Sequence, residues 1–161
     1  MRREFGKTIC EIAENDDKII LITGDIGYGI FEEYKKRFQN RFLNLGICEQ
    51  SMISVAAGLA LEGLKPYIYT ITPFLIERPF EQVKLDIDEQ NLNVKLVGYA
   101  DYPKQGPTHR MLNEKVLASM FKNIRSYFPK DNEETRRNLW ESYKDENPTF
   151  ISLKTYPNFK R

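Results

Sequence analysis

Six short apolar runs, each followed by a helix-patterned or polar stretch, constrain this chain more than any other feature. Lys18-Ile19-Ile20-Leu21-Ile22-Thr23 is β-branched and stops at Gly24. Arg41 to Leu45 is a shorter candidate, and Pro66 to Ile71, Val94 to Tyr99, Ile124 to Phe128 and Thr149 to Leu153 complete the set. These runs are mostly continuous rather than alternating, the pattern of strands covered on both faces. Helical spacing lies between them. Phe5, Ile9 and Ile12 share one face, as do Phe80, Val83 and Ile87. Asp131 with Glu134 reads as a capping box opening a helix that carries Leu139 and Tyr143. Strand–helix alternation of this kind predicts a doubly wound α/β fold: a mainly parallel sheet of about six strands with helices on both faces.

A length of 161 residues fits one domain, 1–161. Charge is balanced, 24 Lys+Arg against 23 Asp+Glu, which offers no basic surplus for nucleic acid or an anionic membrane. No apolar run approaches the roughly 18 residues that a membrane span requires. The start, Met1-Arg2-Arg3-Glu4, turns charged again too soon for a signal peptide. Cys10 and Cys48 lack metal spacing and read as reduced, cytoplasmic thiols.

Ligands in doubly wound sheets sit at the carboxyl ends of strands. Asp25, Asn44, Glu49 and the loop around His109 all follow predicted strands, so they are expected on one edge. Glu49 draws attention first. It stands in Asn44-Leu45-Gly46-Ile47-Cys48-Glu49-Gln50, just before the small-residue helix Ala56-Ala57-Gly58-Leu59-Ala60. A carboxylate where a strand ends and an apolar helix begins is poorly solvated, and can hold a proton or hydrogen-bond a ring nitrogen. Suiting the helix dipole is the plainer role. His109, the only histidine, sits in the rigid loop Gly106-Pro107-Thr108-His109.

These residues, with Gly24-Asp25-Ile26-Gly27 and Arg78-Pro79-Phe80-Glu81-Gln82-Val83, resemble in order and spacing the pyrimidine-binding domain of transketolases and related thiamine diphosphate enzymes. The resemblance implies the roles that follow. Glu49 bonds the aminopyrimidine and helps generate the reactive ylid. An aromatic near Phe74 stacks on that ring; Phe74, placed in a loop after Pro73, is the better partner, because Phe80 falls on a helix's apolar face. Arg78 and Gln82 lie in the same cofactor-binding region, and Leu45 and Ile47 keep water off the Glu49 bond. His109 faces sugar hydroxyls. Arg3 and Lys154 match phosphate-binding positions, Lys154 replacing an arginine and its bidentate fork. Gln105, in the loop Tyr102-Pro103-Lys104-Gln105, replaces an aspartate that reads a substrate hydroxyl. Asp25 approaches a neighbouring subunit's cofactor and is not a metal ligand.

Thiamine diphosphate lies between two domains in this family, and this chain matches only the one that grips the pyrimidine. The resemblance therefore implies a separate subunit that carries the diphosphate domain and Mg²⁺, assembled as a heterotetramer. The small residues Ser54 to Gly58 would let a helix approach that partner, or the chain's own sheet, closely. The expected activity is transfer of a two-carbon ketol unit between sugar-type substrates, or a related carboligation. The alternative is a non-catalytic module that pairs with and regulates such an enzyme subunit. Glu49 and His109 favour the enzyme, since a scaffold requires neither.

Overall fold

A computed structural model describes residues 1–99, 102 and 105–154. The six predicted runs form β1 (Ile19–Thr23), β2 (Phe42–Asn44), β3 (Lys65–Ile71), β4 (Lys95–Tyr99), β5 (Arg125–Tyr127) and β6 (Thr149–Leu153). They make one sheet in the order β2-β1-β3-β4-β6-β5, with every pairing parallel. β1, β4 and β6 are buried along their whole length, as continuous apolar runs require. The edge strands β2 and β5 have only three residues each, which leaves little unpaired backbone for another chain to extend.

Residues alternate between two cores. Leu21, Tyr67, Tyr69, Val97 and Ile151 enter one, with Phe5, Ile9 and Ile12 from helix α1 (Arg2–Asn15), Phe31 and Tyr34 around α2 (Glu32–Arg37), and Leu139. Ile22, Ile68, Leu96 and Phe150 face the other. There they meet Met52, Ile53, Ala56 and Ala57 of α3 (Glu49–Leu61), and Leu75 and Ile76 of α4 (Thr72–Ile76). Phe80 and Phe121 pack with ring centroids 5.2 Å apart in this second core, so Phe80 is a packing residue.

The last long helix, α7 (Asn132–Lys144), is capped by the expected Asp131–Glu134 pair, with Glu134 bonding the residue before the N-cap rather than the N-cap itself. Asp131 Oδ1 accepts from Glu134 N at 2.8 Å, and Glu134 Oε2 accepts from Lys130 N at 2.8 Å. The Phe80/Val83/Ile87 stripe is helical as expected, but only α5 (Phe80–Gln82) is α-helical; Val83–Asp88 continues as a π-helix. A buried anchor lies at its end. Asp88 is 3% exposed, and its carboxylate accepts from the backbone N–H groups of Lys122, Asn123 and Ile124. Among the described residues, no helix is long and apolar enough to cross a membrane.

Strand order sets the site's position. From β1 the chain moves outward to β2, then crosses back to β3 on the other side of β1. In doubly wound sheets the binding crevice lies above the carboxyl ends where the direction reverses, which here is between β1 and β3. Segments following β2 and β3 border it.

Candidate active site

Gly46, at φ 77, turns the chain out of β2 in a conformation that favours glycine. Cys48 is then the N-cap and Glu49 the first residue of α3. Carboxylates are stabilised at this helix end. Glu49 is nevertheless only 3% exposed, so it needs a partner. Arg78 provides one: its Nη1 donates to both Oε1 and Oε2, each at 2.8 Å.

Arg78 comes from the turn after β3. Gly98 of β4 lets this turn sit close to the sheet, since a Cβ there would lie 2.6 Å from Thr72 Oγ1. Phe74, expected in a loop, belongs instead to α4, for which Pro73 supplies a pre-set first turn. The Arg78 guanidinium carbon stands 3.7 Å from the centroid of the half-buried Phe74 ring. His109 meets the same ring edge-on, with centroids 4.8 Å apart and planes at 71°. It closes the 3₁₀ turn Pro107–His109, and its Nδ1 lies 3.1 Å from Thr108 Oγ1. Glu49, Arg78, Phe74 and His109 therefore form one continuous cluster on the carboxyl edge.

Other expected residues lie elsewhere. Asp25 is exposed at φ 53 and is held by its neighbours. Its Oδ1 accepts from the Tyr28 hydroxyl at 2.8 Å and the Asn44 side-chain amide at 3.4 Å, which hold its carboxyl below the usual range. Gln82 is half-buried on α5, and Gln105 is exposed, its N–H bonded to Tyr102 O. Pro103 and Lys104 of that loop lie outside the described residues. Arg3 is exposed on α1, while Arg2 turns inward, donating to Tyr69 Oη at 2.9 Å and covering the Tyr99 ring. Lys154 forms an ion pair with Glu114 of the short helix α6 (Glu114–Ala118). Glu114 also accepts from Ser152 Oγ at 2.5 Å, so much of the Lys154 charge is met within the chain.

Ile47 does not shield Glu49 as expected. It is 74% exposed, because the turn at Gly46 directs it away from the sheet. Half-buried Leu45 does pack into the core beneath α3. Sequence reasoning missed Glu77, whose Oε1 accepts from Leu112 N at 2.7 Å and ties α4 to the histidine loop. It also missed that Arg78 and Glu49 bond each other; nothing in the spacing of two charges 29 residues apart signals that contact.

The chain matches the family "Transketolase, pyrimidine binding domain" over residues 1–155. It is 39% identical over 145 residues to 1-deoxy-D-xylulose-5-phosphate synthase of Aquifex aeolicus, a match covering 84% of this chain and 22% of that protein. It is 30% identical over 157 residues to an uncharacterized 33.6 kDa protein in the fasciation locus of Rhodococcoides fascians, covering 96% of this chain and 50% of that protein. A solved split gene transketolase, described as an inactive beta4 tetramer, superposes with a TM-score of 0.86 at 29% identity, over 95% of this chain and 50% of that one. Transketolase from Campylobacter jejuni shares the fold, with a TM-score of 0.84 at 18% identity over 99% of this chain and 27% of that one. The chain thus spans half the length of the Rhodococcoides protein and less than a quarter of the synthase.

Proposed function

The chain belongs to the transketolase pyrimidine-binding domain family, and from that premise we propose that it is the pyrimidine-binding subunit of a split, transketolase-like enzyme. A separate subunit, in a heterotetramer, carries the diphosphate-binding domain and Mg²⁺. Likeness to a chain of a split gene transketolase supports the separate partner subunit. The reaction is transfer of a two-carbon ketol unit between sugar-type substrates, in the cytoplasm.

One observation carries the reading: a nearly inaccessible carboxylate, Glu49, shares a cluster with a half-exposed aromatic face and the chain's only imidazole, above the ends of parallel strands. The donor set fits an aminopyrimidine. Glu49 accepts a hydrogen bond at the ring nitrogen, and Phe74 offers a flat apolar face. When bound, thiamine diphosphate supplies the nucleophilic carbon that attacks a substrate carbonyl and then stores the electron pair. Glu49 stabilises positive charge at the ring nitrogen and so sets where the neighbouring amine carries its protons. Burial strengthens that bond, because little water competes for the carboxylate. His109 donates to or accepts from substrate oxygens, because an imidazole carries both a donor and an acceptor nitrogen.

The test is Glu49→Ala and Glu49→Gln in the complex reconstituted with the diphosphate-binding subunit. Turnover falls by about 10²–10⁴-fold in both, the loss typical of a positioned acid–base group. Circular dichroism of each variant retains the parent fold. A fully active Glu49→Ala complex rules the mechanism out. Calorimetry on the chain alone, with Mg²⁺, shows negligible affinity for thiamine diphosphate; tight binding there would mean that these residues hold both halves of the cofactor site.

A further inference from the structure

The Arg78 guanidinium is a flat cation. One of its nitrogens donates to both oxygens of Glu49 at 2.8 Å, and its central carbon lies 3.7 Å from the Phe74 ring centroid. An aminopyrimidine protonated on its ring would present the same features: a planar cation, an N–H directed at the carboxylate and a face against the phenyl ring. The two groups call on the same carboxylate and the same aromatic face. We infer that Arg78 occupies the pyrimidine's seat in the cofactor-free chain and must withdraw when the ring enters.

This rests on the proposed function, in which Glu49 receives the pyrimidine, and it adds a regulating contact to that site. Two physical points support it. A buried carboxylate without a partner is strongly disfavoured, so an empty seat needs a resident cation. Arg78 also has a way out: its side chain is 32% exposed, while its backbone is held by the bond from its N–H to Pro73 O at 3.1 Å. Only the side chain needs to move, from Glu49 to solvent. The contact therefore suppresses weak occupation of the isolated half-site. A ligand anchored elsewhere, as a cofactor held by its diphosphate would be, supplies the interaction that displaces it.

The experiment uses the full chain and its only histidine as an NMR reporter, because the His109 imidazole abuts Phe74. Wild type, Arg78→Ala and Arg78→Met are titrated with millimolar thiamine and with millimolar methylguanidinium; Arg78→Met keeps an apolar stem over Phe74 and covers the case in which Arg78→Ala does not fold. Expected results are thiamine binding at least tenfold tighter in the variants than in wild type, methylguanidinium binding in the variants only, and competition between the two ligands. Equal or weaker thiamine binding by a folded variant overturns the inference. Simultaneous binding of both ligands, or binding of neither, also overturns it. If methylguanidinium binds the variants and thiamine does not, the seat is no pyrimidine site and the proposed function falls with it. If thiamine binds wild type as well as it binds the variants, the proposed function stands and only the role of Arg78 is refuted.

Discussion

The backbone N–H of Leu112 donates to Glu77 Oε1 at 2.7 Å. This bond joins the turn that carries Phe74 and Arg78 to the loop that carries His109. Among the described residues, the packing of His109 against Phe74 also joins these segments. Glu77 therefore holds the imidazole in register with the ring. Glu77→Ala should speed hydrogen exchange at the Leu112 amide about tenfold, the equivalent of one lost hydrogen bond of ordinary net strength. Glu77→Gln keeps a carbonyl acceptor and should restore most of the protection. Equal exchange rates in all three proteins would show that the bond does not order the loop.

The sheet was legible because burial on both faces leaves a local mark. Ile19 to Ile22 and Phe150 to Leu153 are apolar at every position, except for Ser152, and no amphipathic helix reads that way. The location of Glu49 followed from the same logic, since a strand end and a helix start bracket it in sequence. What escaped detection depends on contacts between distant segments or on short helices. Phe74 lies in a five-residue helix, too short to show a period. Ile47 looked like a shield by hydrophobicity, but the turn at Gly46 decides its direction. The Arg78–Glu49 contact joins residues 29 apart and Asp88 reaches residues 34 to 36 further on; neither leaves a local pattern.

Asp88 gives a prediction about stability. Its carboxylate accepts from Lys122 N at 2.9 Å, Asn123 N at 2.7 Å and Ile124 N at 3.1 Å, at a site almost closed to solvent. Asp88→Ala removes all three acceptor contacts and leaves the N–H groups without them. The loss should be about 3 kcal/mol or more. For a chain of this size that lowers Tm by roughly 6–12 °C, measurable by calorimetry. Asp88→Asn keeps one carbonyl oxygen and should fall between. A drop under about 2 °C for Asp88→Ala would mean that the turn at 119–124 finds other partners.

Lys95 predicts how stability depends on pH. Its side chain is fully buried, with Nζ donating to the carbonyls of Asp145 at 2.5 Å and Asn147 at 2.8 Å. Burial lowers its pKa from 10.5 to about 8, against the opposing pull of Asp145 and Glu146. Between those two values the unfolded chain binds more protons than the folded one, so this group makes stability rise with pH. Below about pH 8 both states hold the proton and its contribution stays flat at its least favourable. Cys10 acts in the opposite sense, because burial raises its thiol above 9.0. The Lys95 effect is therefore read as the difference between wild type and Lys95→Met in urea unfolding. Wild type should gain roughly 2 kcal/mol relative to the variant from pH 8 to pH 10. Parallel curves would show that Lys95 titrates alike in both states.

The final prediction separates His109 from the pyrimidine seat. His109 packs against Phe74 at a steep interplanar angle and lies on its own turn, while Glu49 opens α3 and bonds Arg78. Removing the imidazole leaves the Glu49 carboxylate and the Phe74 ring themselves in the chain. In the assembled complex, His109→Ala should leave the affinity for thiamine diphosphate within about threefold of wild type, because no group that holds the cofactor has been removed. Turnover should fall by about 10²-fold or more, since hydrogen bonds to substrate oxygens that strengthen in the transition state are lost. His109→Gln, which can still donate and accept, should recover part of kcat. Calorimetry of cofactor binding together with steady-state kinetics decides the matter. Unchanged turnover would remove His109 from the chemistry, and lost cofactor affinity with an intact fold would place it in the pyrimidine seat instead.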